Sequence, residues 1–452
     1  MDAIARFAEH VVATGYDDLP EAAVSAAKTF ILDSLGVGLV GSNGPWVDEL
    51  IASASLWGTG DEARIWTYGK RLPAPAAALC NAYQIHNSEF DCVHEAAVIH
   101  PLTVVLAAVL AVAERQGGVT GRDLVAAVVL GVDVACHIAV ASQSGLRFFR
   151  PGTAGAFAAT AGLGKILGFD QATQVNAFSA AYAQLCGTMQ AHTEGSMVLG
   201  LQIGFNARNA VVAADMSAHG LVGPQNVLEG PFGFYPLFEG EYDLDRVLPE
   251  LGRTWRITEV AHKPFPSGRA THGVVDGCLE LKRKHGFAAD EIEHITARVP
   301  PLVHHLVGRP VRDDMDANYA RLCTPYVAAR ALLNDFVGVE DFGAEARSDA
   351  ASLALAQRIE LVVAPNPDAN ALTPVAVEVA LQGAARQAIE LDTVFGNPAK
   401  PLSRQDHLAK FRRNAAAAAM PLAEGAAEKL IEWVDDLEQI GEISDLVDLL
   451  VA

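Results

Sequence analysis

Leu102–Ala113 is almost purely aliphatic, and the segments around it are rich in Ala, Val and Leu. A helix that is apolar on more than one face must be enclosed by other helices or by a partner subunit, which rules out a surface position for this run. Residues 21–41, 102–116, 122–142, 154–167, 170–186 and 204–219 read as helices of this kind, separated by Gly, Pro or polar breaks. A helical bundle is expected, with a homodimer as the assembly that covers what the bundle leaves open. Membrane insertion is the competing reading. The longest uninterrupted aliphatic run, Val104–Ala113, is short of the ~20 residues a bilayer span needs, and Asp133 interrupts the next. A chain that stays out of the membrane is expected.

The texture changes after Lys263-Pro264-Phe265-Pro266-Ser267-Gly268, a stiff and non-helical connection. Beyond it Ile295, Ala297 and Val299 alternate, as do Val375, Val377, Val379 and Leu381, with the period of half-buried strands. Helical stretches lie between, at about 271–285, 319–336 and 344–357. At 452 residues two domains are the natural prior. The expected layout is mainly α: a large all-helical domain made of 1–265 and 396–452, with a smaller α+β domain, 266–395, inserted as a lid hinged at 263–268.

Immediately before the aliphatic run, residues 81–101 gather His86, Glu89, Asp91, His94, Glu95 and His100. Titratable groups entering a buried environment must be paired or functional, so this is the first candidate for an active site. A metal site is one reading of such ligands. Acid/base catalysis is favoured over it, because no His-x-x-x-His pair shares a helical face and adjacent carboxylates and imidazoles tune one another's pKa. Around the second connection, Lys263, Arg269 and His272 offer cations at a helix start suited to a carboxylate. Arg309 and Tyr319 could present further donors, and His192 is a minor candidate for the pocket wall. Gly187–Ser196 lacks the Lys-Ser/Thr of a phosphate loop, so nucleotide binding is not expected.

A formal net charge of −21 disfavours nucleic acid and anionic membranes. It also means that an acidic substrate needs a local cationic pocket. The six cysteines form no Cys-x-x-Cys pair, so reduced, mostly buried thiols are expected. The first residues, Met1–Arg6, show no export signal, which makes the cytoplasm the default location.

With these residues in view, the chain resembles the MmgE/PrpD family of dehydratases, decarboxylases and epimerases. The likeness rests on Asn81…His86-x-x-Glu89-Phe90-Asp91…His100-Pro101, Lys263-Pro264-Phe265-Pro266…His272, Arg309-Pro310 with Tyr319, and Gly396-Asn397-Pro398…Pro401-Leu402…Lys410-Phe411. It implies a helical domain with an α+β lid, a dimer, no metal or other cofactor, and a small carboxylic acid as substrate. Where other members read His-x-x-Asp-Phe-Asp-Asp-Thr, this chain has Glu89, Cys92 and Val93; a family Lys-x-Leu-His-x-Gly appears as Leu199-Gly200-Leu201-Gln202-Ile203-Gly204. Near 150, Arg150 stands where many members have a His before a Thr.

The resulting expectation is a metal-independent dehydratase acting beside a carboxylate of a small di- or tricarboxylic acid. His100 is the candidate base, tuned by Glu89 or Asp91, with Lys263, His272 or Tyr319 as proton donors. Arg269, Arg309, Arg150, His86 and Gln202 are the expected substrate contacts. Epimerisation, decarboxylation and a non-catalytic carboxylate binder are the alternatives.

Overall fold

A computed structural model describes residues 2–383 and 385–451. The fold is mainly α. Helices Glu21–Gly41, Ala74–His86, Pro101–Gln116, Gly121–Ala141, Arg150–Ile166, Gln171–Tyr182 and Val198–Ala218 form one body, with Pro101–Gln116 at its centre. From Pro101 to Ala113 every residue of that central helix is buried. Each enclosed Leu or Val contributes about 1.5–3 kcal/mol, which fixes the helix inside. The enclosure comes from the chain's own helices, so the all-round apolar pattern does not itself call for a second subunit. Glu21–Gly41 and Gly121–Ala141 are long and apolar enough to cross a membrane, yet 72% and 94% of their most apolar windows are buried inside the fold.

Two helices begin earlier than their patterns indicate. Arg150–Ile166 takes in Pro151, which is at home in a first turn because its missing N–H has no partner there anyway. Val198–Ala218 takes in Leu199-Gly200-Leu201-Gln202-Ile203-Gly204, and a Cβ at Gly204 would lie 2.7 Å from the Leu79 carbonyl oxygen. The glycine there serves close packing against Ala74–His86.

After residue 263 a four-stranded sheet appears, ordered Ile359–Val363, Ile292–Val299, Val375–Leu381, Gln387–Leu391. The first pair is parallel and the others antiparallel. Helix His272–His285 lies on it, and a Cβ at Gly277 would meet Val377 Cγ2 at 2.8 Å. The expected helix 319–336 is two, Ala317–Arg321 and Thr324–Asn334, because Pro325 cannot continue a helix already under way. The 344–357 stretch likewise divides into Ala344–Arg347 and Ala350–Ala356. The chain then returns, and Arg404–Ala416 packs on Glu21–Gly41 with Phe411 against Gly36. All six cysteines are free thiols.

Candidate active site

The site begins where helix Ala74–His86 ends. His86 is its last residue, Asn87 caps it, and the chain runs irregularly to His100, which precedes Pro101 at the first turn of the central helix. Glu89 and Val98 sit in the left-handed region at φ 51° and 52°. Such a backbone is costly for a branched Val and is held only when its surroundings dictate it. Val93–His94 pairs antiparallel with Val260–Ala261, which brings Lys263 against the carboxylates from far along the sequence.

Asp91 is the hub. Its Oδ2 lies 3.0 Å from His86 Nδ1 and accepts from Thr103 Oγ1 at 2.5 Å, while its Oδ1 lies 3.3 Å from His100 Nδ1. His100 Nδ1 also faces the Cys92 carbonyl at 3.1 Å. With two acceptors against it, Nδ1 carries the proton and Nε2 keeps the lone pair. Burial, helped by Lys263, holds the His100 pKa below its ordinary value even though Asp91 pulls the other way. His86 moves oppositely: burial opposes its charged form, but Asp91 and Glu89 outweigh that and raise it. Burial likewise works against ionised Asp91, yet the two imidazoles hold it well below the carboxylate range.

Lys263 is fully buried and donates to Glu89 Oε2 at 2.8 Å and to the Glu89 carbonyl at 3.1 Å. Burial opposes the Glu89 charge, but Lys263 and the two histidines bring its pKa down to about 2. Glu89 is therefore a carboxylate, already matched with a cation.

Other expected site residues are placed as follows. Arg269 donates through Nε to Glu95 at 2.7 Å and through Nη1 to the Phe395 carbonyl at 2.7 Å, with Nη2 near the Val394 carbonyl. It thus ties the segment at 395 to the acidic cluster. His272 is buried, with Nε2 3.3 Å from the Ser267 carbonyl. Burial and then Arg269 push its pKa well down. Tyr319 donates its hydroxyl to the Pro310 carbonyl at 2.9 Å and lies beneath Arg309 and Arg312. Arg309 donates to the His192 carbonyl through Nη2, while its buried Nη1 has no partner among the described residues. Burial first and Arg309 second lower the His192 pKa to about 3, so the imidazole is neutral.

Two expected substrate contacts are engaged elsewhere. Arg150 is fully buried and each of its three nitrogens is taken: Nε and Nη2 by Glu239, Nη2 also by Ser142 and Ser144, and Nη1 by Ala97 and Asn370. Gln202 accepts from Thr188 N at 2.6 Å and donates back to its carbonyl, pinning that loop. In this structure Arg150 holds backbone and the buried Glu239 carboxylate, and Gln202 holds backbone.

A pocket opens against this wall. Its polar side chains are Glu89, His100, His192 and Arg269, and the remainder is apolar, including Val98, Leu146, Phe149, Met189, Leu306 and Leu372. Sequence reasoning passed over Thr103, although its spacing three residues after His100 places both on one helical face. It also passed over Arg321, buried and donating to the Asn87 carbonyl at 3.0 Å, and over the apolar lining itself.

Among the described residues two groups have ligand atoms within 4.8 Å of one another inside each group, His86–Asp91–His100 and Asp33–His262–His407. Each carboxylate already has an ammonium beside it, Lys263 at 3.8 Å from Asp91 and Lys410 at 2.8 Å from Asp33. A metal cation would meet that positive charge, so neither set is built well for one. What the first set can do is hold a neutral imidazole at a pocket with its free nitrogen basic.

The chain is 28% identical to the cis-aconitate decarboxylase of Mus musculus and 29% identical to that of Homo sapiens, each over 451 residues. These alignments cover 96% of this chain and 90% and 91% of the two relatives. The cis-aconitate decarboxylase of Aspergillus terreus is 29% identical over 284 residues, covering 60% of this chain and 58% of the relative. Residues 5–247 match the MmgE/PrpD N-terminal domain and residues 265–439 the MmgE/PrpD C-terminal domain. With both halves matched in order along nearly all of its length, the chain belongs to the MmgE/PrpD family.

Proposed function

We propose that the protein is an acid/base lyase that removes a proton from the carbon beside a carboxylate of a small di- or tricarboxylic acid and expels hydroxide. The observation that carries this reading is the pair of acceptors at His100 Nδ1, which leaves Nε2 as the base at the pocket. A proton α to a carboxylate is very weakly acidic, so negative charge moving onto that carboxylate must be met by a preorganised cation. Arg309, with Nη1 unpartnered among the described residues, fills that role in this reading.

In the step itself, His100 Nε2 takes the proton, the C–H pair becomes the new π bond, and the C–O bond breaks. Lys263, acting through Glu89, gives the departing hydroxide its proton and water leaves. Solvent then resets both groups. Of the three donors considered, His272 and Tyr319 have their hydrogens aimed at the Ser267 and Pro310 carbonyls. The 263–268 connection, in this reading, is the hinge by which residues 266–395 close over the substrate and exclude water.

A second reading is loss of carbon dioxide instead of hydroxide, favoured by the names of the curated relatives. A panel of hydroxy acids and unsaturated acids separates the two. Dehydration predicts a rise in alkene absorbance from the hydroxy acids with no gas released. Carbon dioxide from an unsaturated acid, without turnover of any hydroxy acid, would replace dehydration by decarboxylation.

A further inference from the structure

The cations of this site are largely committed before any substrate arrives. Lys263 is paired with Glu89 at 2.8 Å, and Arg269 with Glu95 at 2.7 Å and with the carbonyls of Phe395 and Val394. Arg150 is paired with Glu239 at 2.7 Å. Among the side chains that line the pocket, Arg269 is the one permanent cation and Glu89 the one carboxylate. The wall thus carries no surplus of fixed positive charge. Arg309, just behind His192, keeps Nη1 unpartnered among the described residues, and Arg321, held at the Asn87 carbonyl, keeps Nε so.

A tricarboxylate would bring three negative charges into this space. Each carboxylate buried without its own partner is strongly disfavoured, since water is removed and nothing replaces it. Yet the pocket is lined by Val98, Leu146, Phe149, Met189, Leu306 and Leu372, which form a surface suited to hydrocarbon.

We infer that the substrate has at most two carboxylates, and that an aliphatic arm, seated against Leu146, Met189, Leu306 and Leu372, stands where a tricarboxylate has its third. Lys263, paired with Glu89 at 2.8 Å, offers no free ammonium to a third carboxylate. This inference rests on the acid/base reading of the same pocket and narrows its substrate class.

Two inert probes of matched backbone test it by calorimetry on the full chain: propane-1,2,3-tricarboxylate and 2-isobutylsuccinate. The alkyl-substituted diacid is expected to bind more tightly by about tenfold or more, the scale of discrimination an apolar pocket gives. Met189→Lys, which adds a cation to the wall at a partly exposed position, is expected to move the ratio toward the tricarboxylate. Tighter or equal binding of the tricarboxylate by the unaltered protein overturns the aliphatic arm and leaves the acid/base reading standing. Binding of neither probe, together with turnover of no hydroxy or unsaturated acid, overturns that reading and the inference with it.

Discussion

Asp91 joins three elements through one side chain, accepting from Thr103 and facing both His86 and His100. The imidazoles move apart in consequence, His86 upward and His100 downward. A base works only when unprotonated, so activity is lost as pH falls through the His100 value. Because that value lies below the ordinary ~6.5, the acid limb of kcat/KM is expected below pH ~6.5, with a plateau above it. Removing the Asp91 charge as Asp91→Asn takes away an upward pull on His100, so the limb should move further down while kcat falls. A limb centred above ~6.5 in the unaltered protein would assign the base elsewhere. The cluster was legible in the sequence because its members lie within a few residues of one another. Arg150 was not, because its fate depends on Glu239, 89 residues away and equally buried, and no local pattern announces that pairing.

At the level of elements, what the sequence disclosed followed from period and punctuation. Strands Ile292–Val299 and Val375–Leu381 alternate and occupy the centre of the sheet, where both neighbours enforce the pattern. The outer strands Ile359–Val363 and Gln387–Leu391 went unread, since an edge strand is half exposed and its alternation is weak. Helix His272–His285 sits on this sheet through Gly277, where a methyl group would come within 2.8 Å of Val377. Gly277→Ala is therefore expected to cost about 1–3 kcal/mol by overpacking, although alanine is the better helix former. Urea unfolding checks this, and an unchanged or raised midpoint would show that the helix can lift off the sheet at little cost.

At the scale of the molecule, the site exists because distant stretches converge. The pocket draws on Glu89–His100, Leu146–Pro151, Met189–His192, Gly268–Ala270, Leu306–Leu322 and Leu372, and the return of the chain at 395 is clamped by Arg269. The sequence named the polar members of that assembly. It could not reveal that most of the wall is apolar, because an aliphatic side chain that lines a cavity looks the same in sequence as one that fills a core. The central claim concerns His100 Nε2, and NMR in heavy water tests it most directly with the hydroxy acid that is turned over best. The unaltered protein should exchange the proton beside the carboxylate for deuterium. His100→Ala should retain its fold and lose that exchange together with about two to four orders of magnitude in kcat. Exchange and turnover near the unaltered rate in His100→Ala would contradict the account.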